Sequence, residues 1–219
     1  MRQIAPAVHV AEAPQRFMGL EVGTRMTVLA LEGGLLVHSP IELDPETIAH
    51  LGEPRWVLAP NLLHHLYVGP WADAGMEAWA PSGLPEKRSD LSFAGVLDKP
   101  GSHPFGDEIE LLPTRSFSLT HELVLLHKPS KTLLVSDLVY NFSASAPWTT
   151  RAAMRCLCGY PGCSTSLLER FGMNHEIARE ELSIIANWDF DRIIMAHGEV
   201  LEVGGKQALR KAFKWLEPL

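Results

Sequence analysis

The chain has 219 residues, 46% of them apolar and 21% charged, with a formal charge of −7 at neutral pH; this is the balance of a globular protein that buries a substantial core. No run reaches the roughly 18 continuous apolar residues of a membrane span, and the N-terminal MRQIAPAVHVAEAP lacks the apolar core of a secretory signal, so the expectation is a cytoplasmic protein with no membrane role. The negative charge argues against a nucleic-acid surface built on phosphate contacts.

In chain order, Ala7 to Val10 reads as a short strand and FMGLEVG as a Gly-punctuated loop. MTVLAL and LLVHS then flank Glu32, Gly33 and Gly34, a hairpin of the kind that glycine permits. In LDPETIAHLG, Asp44 can cap a short helix, with Pro45 at its first position and Gly52 as its stop. RWVLAP reads as a buried strand, after which Asn61 can cap a helical turn holding the adjacent pair His64 and His65. From Pro70 to Pro113 the composition implies a short helix followed by brief strands and loops. Glu122 to His127 and Thr132 to Ser136 form a second hairpin about the turn Lys128-Pro129-Ser130-Lys131, and Asp137 ends it. Helical periodicity starts near Thr149 and returns after Asn174 in NHEIAREELSIIANW; RIIMA is the last strand, His197 and Gly198 follow it, and GGKQALRKAFKWL is a closing amphipathic helix.

Three apolar runs therefore stop at polar residues that can bind metal: the histidine pair, Asp137 and His197. Ligands at strand ends converge in space in α/β proteins while lying far apart in sequence. The site expected from the residues is His64 or His65 with Asp137 and His197. The bland alternatives are hydrogen-bonded histidines at a strand end and a turn-forming aspartate. His9, His38, His50, His103, His127 and His175 show no partner spacing and read as surface or core histidines. Cys156, Cys158 and Cys163 lie in RCLCGYPGC, which is neither a disulfide framework nor a zinc ribbon, so they read as small residues of a turn. Tyr140, Asn141 and Trp148 are candidate rim residues, and Lys87, Arg88, Lys128 and Lys131 read as solvated rather than as substrate contacts.

The set FMGLEVGTRMTVLAL, LLVHSPIELD, APNLLHHL and KTLLVSDLVYNF resembles an uncharacterised branch of the metallo-β-lactamase-like superfamily with a degenerate metal motif. The resemblance implies an α/β (α+β) fold, a four-layer αββα sandwich, over a single domain of residues 1–219. The family's H-x-H-x-D-H motif falls on Pro60 to His65: its first two histidines become Pro60 and Leu62, its aspartate becomes His64, and its last histidine is His65. The family's next histidine falls near Phe117 or Ser118, and His121 reaches that place only with a gap. Its bridging aspartate matches Asp137 and its final histidine His197. His38-Ser39-Pro40 stands where many members carry a supporting aspartate. The implied ligands are His64, His65, Asp137 and His197, with His64 as a ligand or as the catalytic acid/base. They would hold one divalent metal, zinc first and iron or manganese otherwise, which would activate water to attack an ester, thioester, amide or phosphoester. The alternative is an inactive member kept for binding or scaffolding. The expected partners are a small-molecule substrate and, at most, a second copy of the chain as a homodimer, with no nucleic acid.

Overall fold

The fold of this computed structural model is described for residues 1–216. Seven strands form the first sheet, in spatial order Arg2–Ala5, Val8–Ala13, Thr24–Leu31, Gly34–His38, Pro54–Leu58, Glu77–Ala80, Gly95–Val96. The first four are antiparallel and the remaining three pairings are parallel. The second sheet holds Ile109–Pro113, Leu123–His127, Thr132–Leu134 and Arg192–Ile194, with only its last pairing parallel.

Alternation of side chains along each strand decides which layer each residue enters. Trp56 and Leu58 point into the sandwich, with Leu29 and Leu36, and meet Leu111, Leu123 and Leu125 of the second sheet. Val57, between them, faces outward with Val28 and Val37 against Ile48, Trp71 and Leu84. On the far side, Val124, Leu126 and Leu133 carry the helices, through Leu182 and Ile185 of His175–Asn187 and Leu209 of Gly205–Ala212. The result is helix, sheet, sheet, helix: the four layers expected.

Local signals account for most element ends. Asp44 accepts from the Glu46 N–H at the start of Pro45–Leu51, and Gly52 closes it, though the segment is a 3-10 helix. Asn174 accepts from the Glu176 and Ile177 N–H groups. Two expectations change. FMGLEVG is not only a loop, because Arg16–Phe17 and Leu20–Glu21 pair as a small hairpin. The histidine pair does not lie in a helical turn, because residues 61–67 are irregular and the helix begins at Val68. Pro70, in the first turn of Val68–Asp73, has no N–H to donate and keeps the helix from starting earlier. The three cysteines are free, at a helix end, a turn and the strand Gly162–Ser164. Among the described residues no helix is long and apolar enough to cross a membrane.

Candidate metal centre

The site lies at one end of the sandwich, where loops after three strands meet. Asn61, wholly buried, organises the first loop. Its Oδ1 accepts the N–H groups of Leu63 and His64, both at 2.8 Å, so it caps a turn instead of a helix. Its Nδ2 donates to Oδ2 of Asp137 at 2.8 Å. One side chain therefore fixes both the His64 backbone and the Asp137 carboxylate.

Asp137 follows Thr132–Leu134 and is held from behind by Glu122. That carboxylate accepts the N–H of Ser136 at 2.6 Å and of Asp137 at 2.8 Å. His197 follows Arg192–Ile194, and Gly198 after it has a φ of +86°. A Cβ there would collide with the Asn141 carbonyl, so only glycine lets this loop close on Tyr140–Phe142. Asn141 N–H in turn donates to the His197 carbonyl at 3.3 Å.

These elements bring His64, Asp137 and His197 together, their donor atoms all within 4.8 Å. The two Nε2 atoms are 3.3 Å apart. Oδ1 of Asp137 is 3.3 Å from Nε2 of His197, and Oδ2 is 3.6 Å from Nε2 of His64. Ligands about 2.0–2.1 Å from a tetrahedral zinc lie about 3.3–3.4 Å from one another, so the triangle has the dimensions of one tetrahedral face. The far sides of the rings are also committed. Nδ1 of His197 is 2.7 Å from the Gly23 carbonyl, to which it can only donate, leaving Nε2 with its lone pair. Nδ1 of His64 lies 3.0 Å from Oγ of Ser39. Ser39 itself sits at a φ of +54°, a strained conformation for a residue with a side chain.

His65 is not in the group. Its Nδ1 is 3.0 Å from Nη1 of Arg88, and burial, then Lys87 and Arg88, lower its pKa. His121 lies outside too, with Nδ1 3.4 Å from the Ser82 carbonyl. Lys87 donates to the Leu62 carbonyl, and Arg88 forks onto Asp90. Of the rim candidates, Tyr140 reaches the site, its ring centroid 6.1 Å from that of His197. Asn141 is a brace of the His197 loop, and Trp148 is 72% exposed and makes no part of the cavity wall.

The buried carboxylates and histidines of the group act strongly on one another. Burial pushes the Asp137 carboxyl up, but His64 and His197 beside it more than reverse this and hold it well below the usual carboxylate range. Burial and the Asp137 charge push Glu122 the other way, up to about 8, against the pull of the two backbone N–H groups and Asn61. His38, buried behind His64, is pushed down to about 3 by burial and by His64. Ser39, Glu122 and the bond from Asn61 to Asp137 were not foreseen. The only sequence signals for them are one carboxylate at the head of an apolar strand and a hydroxyl where a strand ends.

A cavity of about 230 Å³ opens onto the group. Its wall includes Leu63, Phe117, Met154, Leu157, Tyr140 and Glu169. Phe17 and Met18 of the small hairpin, Leu66, Leu119 and Leu168 line its exposed mouth.

No protein-family model matches the chain, and no curated protein matches it. Solved structures do. The DIM-1 metallo-β-lactamase exposed to ceftazidime is 14% identical, with a TM-score of 0.69, over 98% of this chain and 95% of that one. A metallo-β-lactamase from Hirschia baltica gives 13% and 0.69 over 100% and 97%. The metallo-β-lactamase FIM-1 from Pseudomonas aeruginosa, in its mono-zinc form, gives 10% and 0.63 over 99% and 95%. At these identities the likeness is one of fold. The chain thus has the αββα fold of the metallo-β-lactamases, with a His-Asp-His cluster at one end of the sandwich.

Proposed function

We propose that the protein is a single-metal hydrolase, with His64, Asp137 and His197 as the ligands of one divalent ion, zinc in the first place. The observation that carries this reading is the ligand triangle with both imidazoles locked through Nδ1, so that their Nε2 atoms face one point together with the Asp137 carboxylate. An ion held by these three residues would supply the Lewis acidity that polarises a carbonyl and makes water a nucleophile near neutral pH. The mono-zinc form of FIM-1, of the same fold, supports a site with one ion. Each residue then has one task. His64 and His197 would bind through Nε2, with each Nδ1 taken up by its own partner. Asp137 supplies the negative charge, Asn61 and Glu122 hold it in place, and the apolar cavity keeps bulk water from the reacting carbonyl.

The same fold with Pro60 and Leu62 in place of two family ligands also suits a protein kept for binding. Both residues are built into the core junction: Leu123 N–H donates to the Pro60 carbonyl and Leu62 N–H to the Thr120 carbonyl. Elemental analysis of protein purified without chelator or metal-binding tag, beside Asp137→Ala, tests the metal. About one equivalent in the wild type and under about a tenth in the variant is expected. Metal in neither, and none taken up on addition, ends the hydrolase reading; bound metal without turnover of any acyl substrate favours the binding role.

A further inference from the structure

Resting on the hydrolase reading, we propose that the substrate is an uncharged carboxylic ester with a short aliphatic acyl chain, held in the cavity in front of His64, Asp137 and His197. The cavity wall contains no lysine and no arginine among the described residues, and its charged groups beyond the histidines are Asp137 and Glu169. Beyond the ion itself, a carboxylate or phosphate on the substrate would find no cation in the wall to meet it, a costly burial.

A cationic substrate fares no better. Glu169, 1% exposed, already accepts from the Tyr140 hydroxyl at 2.9 Å and from both N–H and Oγ of Ser166 at 2.6 Å. Its oxygens are filled by the fold. With a divalent ion in the group the two carboxylates balance it, so the cavity as a whole carries no net charge and suits a neutral ligand.

The rest of the wall sets the shape and the bond. Phe117, Leu119, Met154, Leu157 and Leu168 offer apolar surface to a chain. The volume of about 230 Å³ falls below the roughly 300–1,000 Å³ of pockets for drug-sized ligands, so the chain is short. Expelling an amine needs a proton donor beside the departing nitrogen. The wall has no further histidine, lysine or cysteine, and of its two tyrosines Tyr140 already gives its proton to Glu169, which leaves the Tyr67 hydroxyl as the remaining phenol. An alkoxide or phenoxide departs with less help from such a donor than an amine needs, which favours esters over amides. In the step proposed, the oxygen of water bonds to the acyl carbon and the acyl C–O bond breaks. One water proton goes to the departing alkoxide, and the acid product releases the other.

Two matched pairs test this. The metal-loaded protein is assayed with the p-nitrophenyl ester of hexanoic acid and with the p-nitrophenyl monoester of glutaric acid, similar in length but anionic. The metal-free protein is titrated calorimetrically with the uncleaved analogues hexananilide and glutaric monoanilide. The neutral member of each pair should be preferred at least tenfold, in kcat/KM and in Kd. Leu168→Lys, at a half-exposed wall position, should shrink both ratios at least fivefold. Equal or tighter binding of the anionic anilide by the metal-free wild type overturns the proposal whatever the turnover. Absence of all ester turnover by protein shown to hold metal, with the neutral anilide still preferred, overturns the hydrolase reading while the cavity's selectivity stands.

Discussion

Replacing Ser39 by glycine should separate metal affinity from fold stability. Ser39 holds a φ of +54°, and releasing a side chain from the left-handed region returns about 1–2 kcal/mol. Glycine gives back about 0.5–1 kcal/mol through the greater freedom of its unfolded chain, and the lost hydrogen bond to His64 costs about 0.5–1.5 kcal/mol. The sum is within about 1 kcal/mol of zero, so urea unfolding of chelator-treated protein should scarcely change. The His64 ring, however, loses the partner that fixes its orientation, and loss of such a partner typically weakens metal binding about 10–100-fold. Competition for zinc against a chromophoric chelator measures this directly. Ser39→Ala removes the same hydroxyl and keeps the backbone strain but not the entropy cost of glycine, so it should match the glycine variant in affinity while being less stable by about 0–1.5 kcal/mol. Zinc affinity within twofold of the wild type in both variants would refute the assigned role of Ser39, and with it the idea that His64 binds through Nε2.

Gly198→Ala should be strongly destabilising, because its Cβ meets the Asn141 carbonyl at a φ of +86°; a loss of about 2–3 kcal/mol and a Tm lower by about 5–10 °C are expected in a thermal melt. His38→Leu should flatten the acid limb of stability. In the wild type the folded His38 is pushed down to about 3 from 6.5, so the unfolded chain binds more protons between those values and stability falls as pH drops through them; urea midpoints at pH 7 and 4.5 should differ less in the variant. Glu122→Gln should act on the other limb. The folded carboxyl is pushed up to about 8 from 4.5, so the folded state binds more protons across that window and metal-free wild-type stability falls as pH rises through it. The variant should lack that slope, and an unchanged slope would show that Glu122 stays ionised.

The strands and helix starts were legible because apolar alternation and turn residues act locally, whereas their stacking in four layers was implied by the family resemblance. Val57 between Trp56 and Leu58 declares two buried faces, and Asp44-Pro45 and Asn174 declare helix starts by capping chemistry alone. Asp137 and His197 were legible for a related reason: a polar residue directly after a short apolar strand lies at the sheet's end. The choice between His64 and His65 was not, since neighbours in an irregular loop point in directions set by the turn. Here the turn is set by Asn61 accepting two N–H groups while donating to a residue 76 positions away, a long-range bond with no signature in spacing. Ser39 escaped for the same reason. Its positive φ follows from where the strand Gly34–His38 leaves the sheet, with the Ser39 N–H donating to the Leu58 carbonyl at 3.1 Å.

A histidine at position 64, where the motif that the sequence resembles has an aspartate, is consistent with the charges around it. Asp137 and Glu122 already form a buried pair in which the Asp137 charge helps to push Glu122 up to about 8. A carboxylate at 64 would place a third acid beside them in a region of low dielectric, where like charges at such distances are costly. Histidine supplies a ligand lone pair without that charge, and the buried pair can then devote one ionised group, Asp137, to the ion. A divalent ion held there would meet one ligand carboxylate, Asp137, while Glu169 is the cavity's second acid. On this view the altered motif is a redistribution of charge that suits a single ion, and the reduced ligand set and the unusual neighbours Ser39, Asn61 and Glu122 belong to one arrangement.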